Sequence, residues 1–239
     1  MKYDIIILSH PKDYVKIQYC ISSLRFAKQE PSNVYVVSPH PANGAGIISI
    51  TDDDAISVKK EDIKYRRSNW IYQQLVKLFQ DFTEHDLYMC VDSDLIFNRP
   101  INVFKGGKPN FFISDRSQHH EPYFNFMNLY FGLSKQVDHT FINDFMVFDK
   151  NICAEMIPDK DHLVTAINEV MSDDCLLSEF ETYGNYITKN HSAAYGSQPT
   201  KTNMHGRHSG VPWSVEEIEQ IVIENRTKDV DLFTIHSWT

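Results

Sequence analysis

The fold is decided by the stretch at positions 87–94, Leu87-Tyr88-Met89-Cys90-Val91-Asp92-Ser93-Asp94. Its first five residues form an apolar run that is typical of a strand buried in a parallel sheet. Two aspartates, one residue apart, follow at the carboxyl end of that strand. In open α/β sheets, ligands bind at this edge. The stretch therefore predicts a central strand with a binding site directly after it.

The spacing of Asp92 and Asp94 predicts a metal site. Two neighbouring carboxylates repel each other unless a proton or a cation intervenes. Mg²⁺ and Mn²⁺ prefer oxygen ligands, and Mg²⁺ usually takes one or two protein carboxylates together with substrate phosphates. Acidic turns after strands are common, so a solvated turn is the alternative. The acidic run at 52–54 and the charged run at 59–62 are instead interpreted as solvated loop.

The segments on either side of this strand predict an α/β protein. The β-branched run at 3–8 and the run at 34–37 indicate strands. Between them, an imperfect helical stripe continues to about Phe26; its apolar members are Val15, Ile17, Ile21 and Leu24. A strand–helix–strand unit of this kind begins a doubly wound sheet.

The remaining elements are predicted from the same patterns. Helices are predicted at 70–82, 161–171 and 178–188, and a further helix begins at the capping box of Ser214 and Glu217. Strands are predicted at 111–113, 145–148 and 231–235. The Gly-, Pro-, Ser-, His- and Asn-containing stretch at 196–212 is predicted to be a long loop.

Composition narrows the class of protein. The chain has 239 residues, 42% of them apolar, and a formal net charge of −9. There is no basic run for a nucleic-acid backbone, so nucleic acid is not an expected partner. The four cysteines have no ligand-like spacing, which predicts buried free thiols in a reducing compartment. The N-terminal apolar run is too short for a membrane span or a signal peptide, so a cytoplasmic location is expected.

Four blocks of sequence, in order, resemble a known family. They lie at 70–78, 88–94, 141–149 and 178–186. Together they look like the GT-A glycosyltransferases that build capsular and surface polysaccharides. The sequence departs from that pattern at Asn143-Asp144, where similar sequences often carry histidine.

The resemblance implies a fold and a reaction. The fold is one GT-A (Rossmann-like) domain over 1–239, with a mixed, mostly parallel sheet flanked by helices. Its nucleotide-sugar-binding half would be 1–100 and its acceptor-binding half 101–239. The reaction is metal-dependent transfer of a sugar from a nucleotide-sugar donor, with a UDP-sugar favoured, to a hydroxyl of a carbohydrate or glycan acceptor.

The resemblance also assigns the metal ligands. Asp92 and Asp94 would hold Mn²⁺ or Mg²⁺, with Asp94 the direct ligand, or Asp92 would instead reach the ribose or the donor sugar. His236, after the terminal strand, would supply a third ligand, and an ordinary exposed tail histidine is the alternative. An imidazole beside hard oxygen ligands favours Mn²⁺.

Donor contacts are expected from two earlier segments. The loop with His10 and Asp13 would hold the nucleotide, although Asp13 could equally serve as a helix N-cap. Gln74 and Lys77 lie about one turn apart on the predicted helix and could face the donor. For either of them taken singly, a solvated surface position is the favoured interpretation.

The predicted loop at 196–212 supplies the phosphate candidates, Lys201 and Arg207. A loop of this length without secondary structure is usually functional or disordered. It could fold over the diphosphate and exclude water.

Inverting transfer needs a general base near the acceptor hydroxyl. The candidates are Glu179, Glu181 and Asp144. The two glutamates open a predicted helix, where carboxylates are favoured by the helix dipole in any case. Glu179 is preferred because it would share a helix side with Tyr183 and Tyr186.

Three other classes of protein were weighed against a glycosyltransferase. Phosphatases of the haloacid dehalogenase type carry Asp-x-Asp near their first strand. In this chain the two aspartates come only after about ninety residues. Sugar nucleotidyltransferases carry a glycine-rich loop after the first strand, and Ser9-His10-Pro11-Lys12 has no glycine. A non-catalytic nucleotide- or carbohydrate-binding module remains open.

Overall fold

A computed structural model describes residues 1–114, 119–207 and 211–237 of the chain. Its strands, numbered along the chain, are β1 (Asp4–Leu8), β2 (Val34–Ser38), β3 (Ile48–Thr51), β4 (Leu87–Asp92), β5 (Leu95–Phe97), β6 (Phe104–Lys105), β7 (Lys108–Ser114), β8 (Phe145–Asp149), β9 (Gly196–Thr200), β10 (Thr202–Arg207) and β11 (Leu232–Ser237). The α-helices are α1 (Tyr14–Ser23), α2 (Asp52–Ala55), α3 (Ser68–Phe79), α4 (Glu121–Phe131), α5 (Lys150–Met156), α6 (Lys160–Val170), α7 (Glu179–Asn190) and α8 (Val215–Arg226).

The central sheet has β4 next to β1, as the buried strand after residue 86 predicts. Its order is β3-β2-β1-β4-β8. The pairings from β3 through β4 are parallel, and β8 runs antiparallel to β4. Ile6 lies opposite Cys90 and both are fully buried, because apolar clusters cover both faces of the sheet. The prediction of an α/β, Rossmann-like fold with a mixed, mostly parallel sheet is confirmed.

The terminal strand joins the two halves of the sequence. β11 pairs in parallel with β10 and antiparallel with β5, which directly follows Asp94. Thr234 lies opposite Leu95, so the residues after it are brought to the end of β4. The predicted nucleotide-sugar-binding half (1–100) and acceptor-binding half (101–239) therefore both contribute strands to this small sheet and form one unit.

The predicted long loop at 196–212 is wrong over most of its length. β9 pairs in parallel with β7, and β10 pairs in parallel with β11. Gly, Pro and Asn disfavour strands, but pairing with existing strands overrides that local preference. Residues 208–210 of the predicted loop lie outside the described residues.

The buried face of α1 differs from the predicted stripe. Lys16, Cys20 and Ser23 are its buried residues, while Val15 is exposed. Free cysteine behaves as a small apolar residue, and Lys16 finds carbonyl and carboxylate partners inside the protein. Hydrophobic periodicity alone could not reveal this face.

The helices around the site follow their predicted faces closely. In α3, Ile71, Leu75, Leu78 and Phe79 are buried, as predicted. α7 begins after Ser178, whose side chain accepts a hydrogen bond from the backbone N–H of Glu181. The capping box of Ser214 and Glu217 at α8 is also present.

We expect Gly184→Ala to destabilise the protein. Gly184 lies in α7, and a Cβ added there would lie 2.2 Å from Cγ of Phe141. The ring atom nearest the backbone has little freedom to move, so overpacking should cost about 1–3 kcal/mol of unfolding free energy. Urea denaturation measures the effect. Gly44→Ala, at an exposed position, is the control, and equal stability of the two variants would contradict the prediction.

Two further expectations concern the cysteines and the membrane. Cys20, Cys90, Cys153 and Cys175 are free thiols, as predicted. The first three are buried, whereas Cys175 is only half-buried, so the prediction of burial is wrong for Cys175. Within the described residues, no helix is long and apolar enough to cross a membrane.

Candidate functional site

The two aspartates after β4 face different neighbours. Asp92 is the last residue of β4, and its Oδ1 lies 2.8 Å from Nζ of Lys77 on α3. Asp94 precedes β5, and its Oδ2 lies 2.9 Å from Nδ1 of His236 on β11. The chain thus brings His236 to Asp94 across 142 positions of sequence. Both carboxylates lie at the carboxyl edge of the central sheet, as predicted.

Lys16 fastens the terminal strand to this edge. Its side chain is only 2% exposed. Nζ donates to the carbonyl of Ile235 at 2.8 Å and to Oγ of Ser237 at 3.3 Å. The same Nζ lies 2.6 Å from Oδ1 of Asp13 and 4.0 Å from Oδ2 of Asp94. Lys16 therefore contacts the residues on both sides of His236, through the backbone carbonyl of Ile235 and the hydroxyl of Ser237.

The pKa values of Asp94 and His236 are shifted in opposite directions. Burial alone would raise the pKa of Asp94, but the hydrogen bond from His236 and the charges of His236 and Lys16 hold it below its usual value. Burial alone would lower the pKa of His236, but its hydrogen bond to Asp94 and the nearby carboxylates raise it. Both shifts favour an ionised Asp94 beside a protonated His236.

This pair fits a divalent cation in its chemistry and its spacing. Two adjacent ligands of an octahedral ion, each about 2.1 Å from it, lie about 3.0 Å apart. Oδ2 of Asp94 and Nδ1 of His236 are 2.9 Å apart. In the part of the chain that the structure describes, no three His, Cys, Asp or Glu side chains are arranged to hold a metal. A metal here would therefore need further ligands from a substrate diphosphate or water.

Lys77 is a buried cation shared by two carboxylates. Its Nζ lies 2.8 Å from Oδ1 of Asp92 and 2.7 Å from Oε1 of Glu179. It also lies over the ring of Phe180, 4.2 Å from the centroid. Burial alone would lower the pKa of Lys77, but the two carboxylates raise it above its usual value. The solvated surface position favoured for Lys77 from the sequence is therefore wrong.

The pKa of Asp92 is raised despite its contact with Lys77. Burial raises the pKa of Asp92, the charge of Lys77 opposes the rise, and the charges of Asp144 and Asp94 add to it. The resulting pKa is about 7. Burial, the largest of these causes, therefore outweighs the ion pair with Lys77.

A cleft of about 530 Å³ opens between α3 and α7, beside Asp92. Its lining residues are Trp70, Gln73, Gln74, Lys77, Asp92, Tyr123, Ile142, Asp144, Ser178, Glu179 and Phe180. The cleft thus combines aromatic rings with carboxylates and one lysine.

The three predicted bases lie in different surroundings. Glu179 and Asp144 line the cleft. Glu181 is buried away from the cleft lining, where it accepts hydrogen bonds from Oγ1 of Thr140, from the backbone N–H of Phe141 at 3.1 Å and from Nδ2 of Asn185 at 3.2 Å. Burial raises the pKa of Glu181. Its contacts show it fixing the segment that leads to Asp144.

Asp144 has an unusual backbone conformation. Its φ is 60°, in the left-handed region that non-glycine residues rarely adopt. Its carbonyl accepts from the backbone N–H of Asp92 at 2.9 Å. Strained residues of this kind cluster at functional sites. The observation supports Asp144 as a functional residue of the cleft.

The aromatic neighbours of Glu179 are not the predicted ones. The rings that line the cleft belong to Trp70, Tyr123 and Phe180. Tyr183 is buried, with its hydroxyl 2.7 Å from that of Tyr195. Helical spacing predicts a shared side of α7, but it does not show which element covers that side.

A second, smaller pocket of about 320 Å³ lies at the ends of β1 and β2. Ser9 and His10 line it, so the first loop reaches a pocket as predicted. Gln73 lines both this pocket and the cleft, which makes them neighbours. Oγ of Ser9 is buried with no hydrogen-bond partner among the described residues. Asp13 occupies the N-cap position of α1, but its carboxylate accepts no capping hydrogen bond from the helix backbone and instead pairs with Lys16.

The two phosphate candidates are paired with protein carboxylates. Lys201 forms an ion pair with Asp229 on the exposed surface. Arg207 forms an ion pair with Glu217 and lies over the ring of Trp213, 4.0 Å from its centroid. Trp213 Nε1 donates to the carbonyl of His236 at 3.0 Å, so Arg207 lies in the same neighbourhood as the ion pair.

Sequence reasoning missed Lys16, Trp70 and Tyr123 as residues of the site. Lys16 stands among the apolar residues of α1, where nothing marks it as buried. Trp70 and Tyr123 come from different helices, with ring centroids 6.3 Å apart. The start of α4, which carries Tyr123, follows a segment without a clear helical pattern.

Comparison with known proteins gives a family. Residues 12–157 match the model of a family described as "Family of unknown function (DUF6492)". A search of the curated proteins found no match. The matched range is more than half of the 239 residues and includes α3, β4 and both aspartates. It ends before α7 and before His236.

Proposed function

The chain belongs to the family of unknown function DUF6492, and we propose that it is a glycosyltransferase that moves a sugar from a nucleotide-diphosphate donor to a carbohydrate hydroxyl. We propose further that the reaction depends on Mn²⁺ or Mg²⁺ and that the donor is a UDP-sugar. The supporting observation is the pairing of Asp94 with His236 at 2.9 Å, at the carboxyl edge of the sheet. Asp92, two residues before Asp94, lines the cleft, and the cleft shares Gln73 with the smaller pocket.

The smaller pocket and the cleft suit the two ends of a nucleotide sugar. The pocket with Ser9 and His10 would take the nucleoside, since it lies at the ends of two parallel strands. The cleft with Asp92, Trp70 and Tyr123 would take the sugar. Apolar C–H faces of a sugar can lie against the electron-rich faces of the rings, while its hydroxyls meet polar side chains.

Asp94 and His236 would hold the metal between these two ends. His236 would have to give up the proton it shares with Asp94, because only the neutral imidazole is a ligand. A bound Mn²⁺ or Mg²⁺ would neutralise charge on the diphosphate as the sugar departs. Lys16 keeps the two ligands in place by fastening the backbone around His236.

We propose Asp144 as the base on the strength of its place in the cleft lining and its strained backbone. Oε1 of Glu179, the candidate preferred from the sequence, lies 2.7 Å from Nζ of Lys77. Both oxygens of Glu181 accept hydrogen bonds within the protein. Asp144 lines the cleft in a strained conformation beside Asp92, where it could take the proton of an acceptor hydroxyl in an inverting transfer.

Thermal-shift titration tests the donor class. We expect UDP to raise the melting temperature when Mn²⁺ is present and to have little effect with EDTA. At a ligand concentration of 100 Kd, the gain is about 2.7 kcal/mol. GDP, ADP and CMP serve as parallel probes of the base. A chain that responds to no nucleotide under any metal condition would contradict the proposal.

Turnover separates an enzyme from a binding module. With a nucleotide sugar and Mn²⁺, we expect slow release of UDP by hydrolysis in the absence of an acceptor. Metal-dependent nucleotide binding without hydrolysis, and without transfer to any saccharide supplied, would instead identify a non-catalytic module.

A further inference from the structure

The amide of Gln74 presents a buried hydrogen-bond donor to the cleft. Gln74 lies on α3, is only 2% exposed and lines the cleft beside Lys77. Its Nε2 has no hydrogen-bond partner among the described residues. A buried donor without a partner costs about 1–3 kcal/mol, and such groups in folded proteins call for an explanation.

The orientation of this amide is fixed by its other end. Oε1 of Gln74 accepts from the backbone N–H of Glu179 at 3.1 Å. A backbone N–H can only donate, so the atom that faces it must be the oxygen. Rotating the amide by 180° would place two donors against each other. Nε2 therefore keeps its two hydrogens free for an acceptor atom.

The surroundings of Nε2 point to a sugar oxygen as that acceptor. The cleft carries the rings of Trp70, Tyr123 and Phe180, which suit the C–H faces of a sugar. Lys77 also donates, but the carboxylates of Asp92 and Glu179 already engage it. Gln74 thus adds an uncharged hydrogen-bond donor to an aromatic cleft. A hydroxyl or ring oxygen of a sugar is a hydrogen-bond acceptor that is likewise uncharged.

We propose that Gln74 is a specificity-determining residue that donates a hydrogen bond from Nε2 to an oxygen of the donor sugar. The inference rests on the proposed function and names the part of the donor that the cleft recognises. A site built around a buried N–H group rejects ligands that lack the matching oxygen, because the N–H group is then left without a hydrogen-bond acceptor.

The experiment compares ligands with and without the sugar. Isothermal titration in Mn²⁺ gives the Kd of UDP, UDP-glucose, UDP-galactose and UDP-N-acetylglucosamine for the wild-type chain. The same titrations are then made with Gln74→Met. We expect the variant to lose about tenfold in affinity for the nucleotide sugar that the wild type binds best, as one hydrogen bond is lost. Its affinity for UDP should stay within about twofold.

Gln80 offers a closely matched control. It caps the carboxyl end of α3, is 2% exposed, and its Oε1 accepts from the backbone N–H of Thr83 at 3.2 Å. It lies outside the cleft. Gln80→Met therefore removes a comparable buried amide from the same helix. We expect Gln80→Met to bind every ligand as the wild type does, even if its melting temperature falls by as much as that of Gln74→Met.

The outcomes separate this inference from the proposed function. Failure of all four ligands to bind the wild type would overturn both. Binding of UDP, with no nucleotide sugar bound more tightly than UDP, would overturn only the role of Gln74. Equal losses for UDP and for the nucleotide sugar in Gln74→Met, or the same selective loss in Gln80→Met, would also overturn only that role.

Discussion

Replacing Asp94 by asparagine is expected to weaken Mn²⁺-dependent binding of UDP by more than about a hundredfold, since loss of even an outer-shell partner costs 10–100-fold. Asp94→Asn keeps the size of the side chain and removes its charge. The variant loses the carboxylate oxygen that lies 2.9 Å from Nδ1 of His236. Isothermal titration with UDP, in Mn²⁺ and in EDTA, measures the effect.

Asp53→Asn is the control for the loss of one negative charge. Asp53 belongs to the acidic run at 52–54 and is exposed on α2. We expect Asp53→Asn to bind UDP as the wild type does. The metal assignment would be contradicted if Asp94→Asn retained wild-type affinity in Mn²⁺, or if Asp53→Asn lost as much affinity as Asp94→Asn.

Replacing Lys77 by methionine is expected to destabilise the fold by about 3–5 kcal/mol, because it leaves two carboxylates without their buried partner. Lys77 lies between Asp92 and Glu179, and its side chain is 6% exposed. Methionine preserves much of the apolar part of the lysine side chain, so the loss of unfolding free energy reflects the removal of the positive charge. Urea denaturation at neutral pH measures the unfolding free energy.

The pH dependence of this loss identifies its cause. Burial raises the pKa of Asp92 to about 7 in the wild type, and the charge of Lys77 opposes that rise. Removing Lys77 should raise the pKa of Asp92 further above its value in the unfolded chain. The added penalty is present where Asp92 is ionised, and it shrinks as the pH falls and Asp92 binds a proton. A deficit that stays constant over the acidic range would contradict an electrostatic cause.

A double variant and a surface control complete this test. Lys77→Met combined with Glu179→Gln should recover part of the lost stability, because one unpaired carboxylate is removed. Lys201→Met removes a lysine from the exposed pair with Asp229. Exposed pairs contribute little, so this variant should unfold close to the wild type.

The central sheet could be predicted because its signals are local. The apolar run that ends at Val91 and the β-branched run after Tyr3 each indicate a buried strand without reference to the rest of the chain. Ser178 and Ser214 likewise mark helix starts through their side chains. Local chemistry of this kind needs no knowledge of tertiary contacts.

The predictions that failed depend on contacts between distant segments. β9 and β10 form because β7 and β11 offer edges for pairing, and their own sequence favours a loop. Lys16 is buried because the carbonyl of Ile235 and the carboxylate of Asp13 receive its charge. A lysine in an amphipathic helix carries no mark of such partners.

The candidate site was predicted in part. The position of Asp92 and Asp94 at the sheet edge follows from strand patterns, whereas the approach of His236 to Asp94 was expected from the family resemblance. The sharing of Lys77 between Asp92 and Glu179 could not be foreseen, because it depends on how α7 packs against α3. The aromatic lining of the cleft could not be foreseen either, because it also depends on how the helices pack against one another.

The most direct test of the account is the position of the metal. Crystals grown with UDP and MnCl₂ should give an anomalous peak for manganese about 2.1–2.3 Å from Oδ2 of Asp94 and from a ring nitrogen of His236, with the diphosphate completing the shell. Nucleotide bound in the pocket of Ser9 and His10 with no peak at Asp94, or a manganese peak at a different group of residues, would contradict the account.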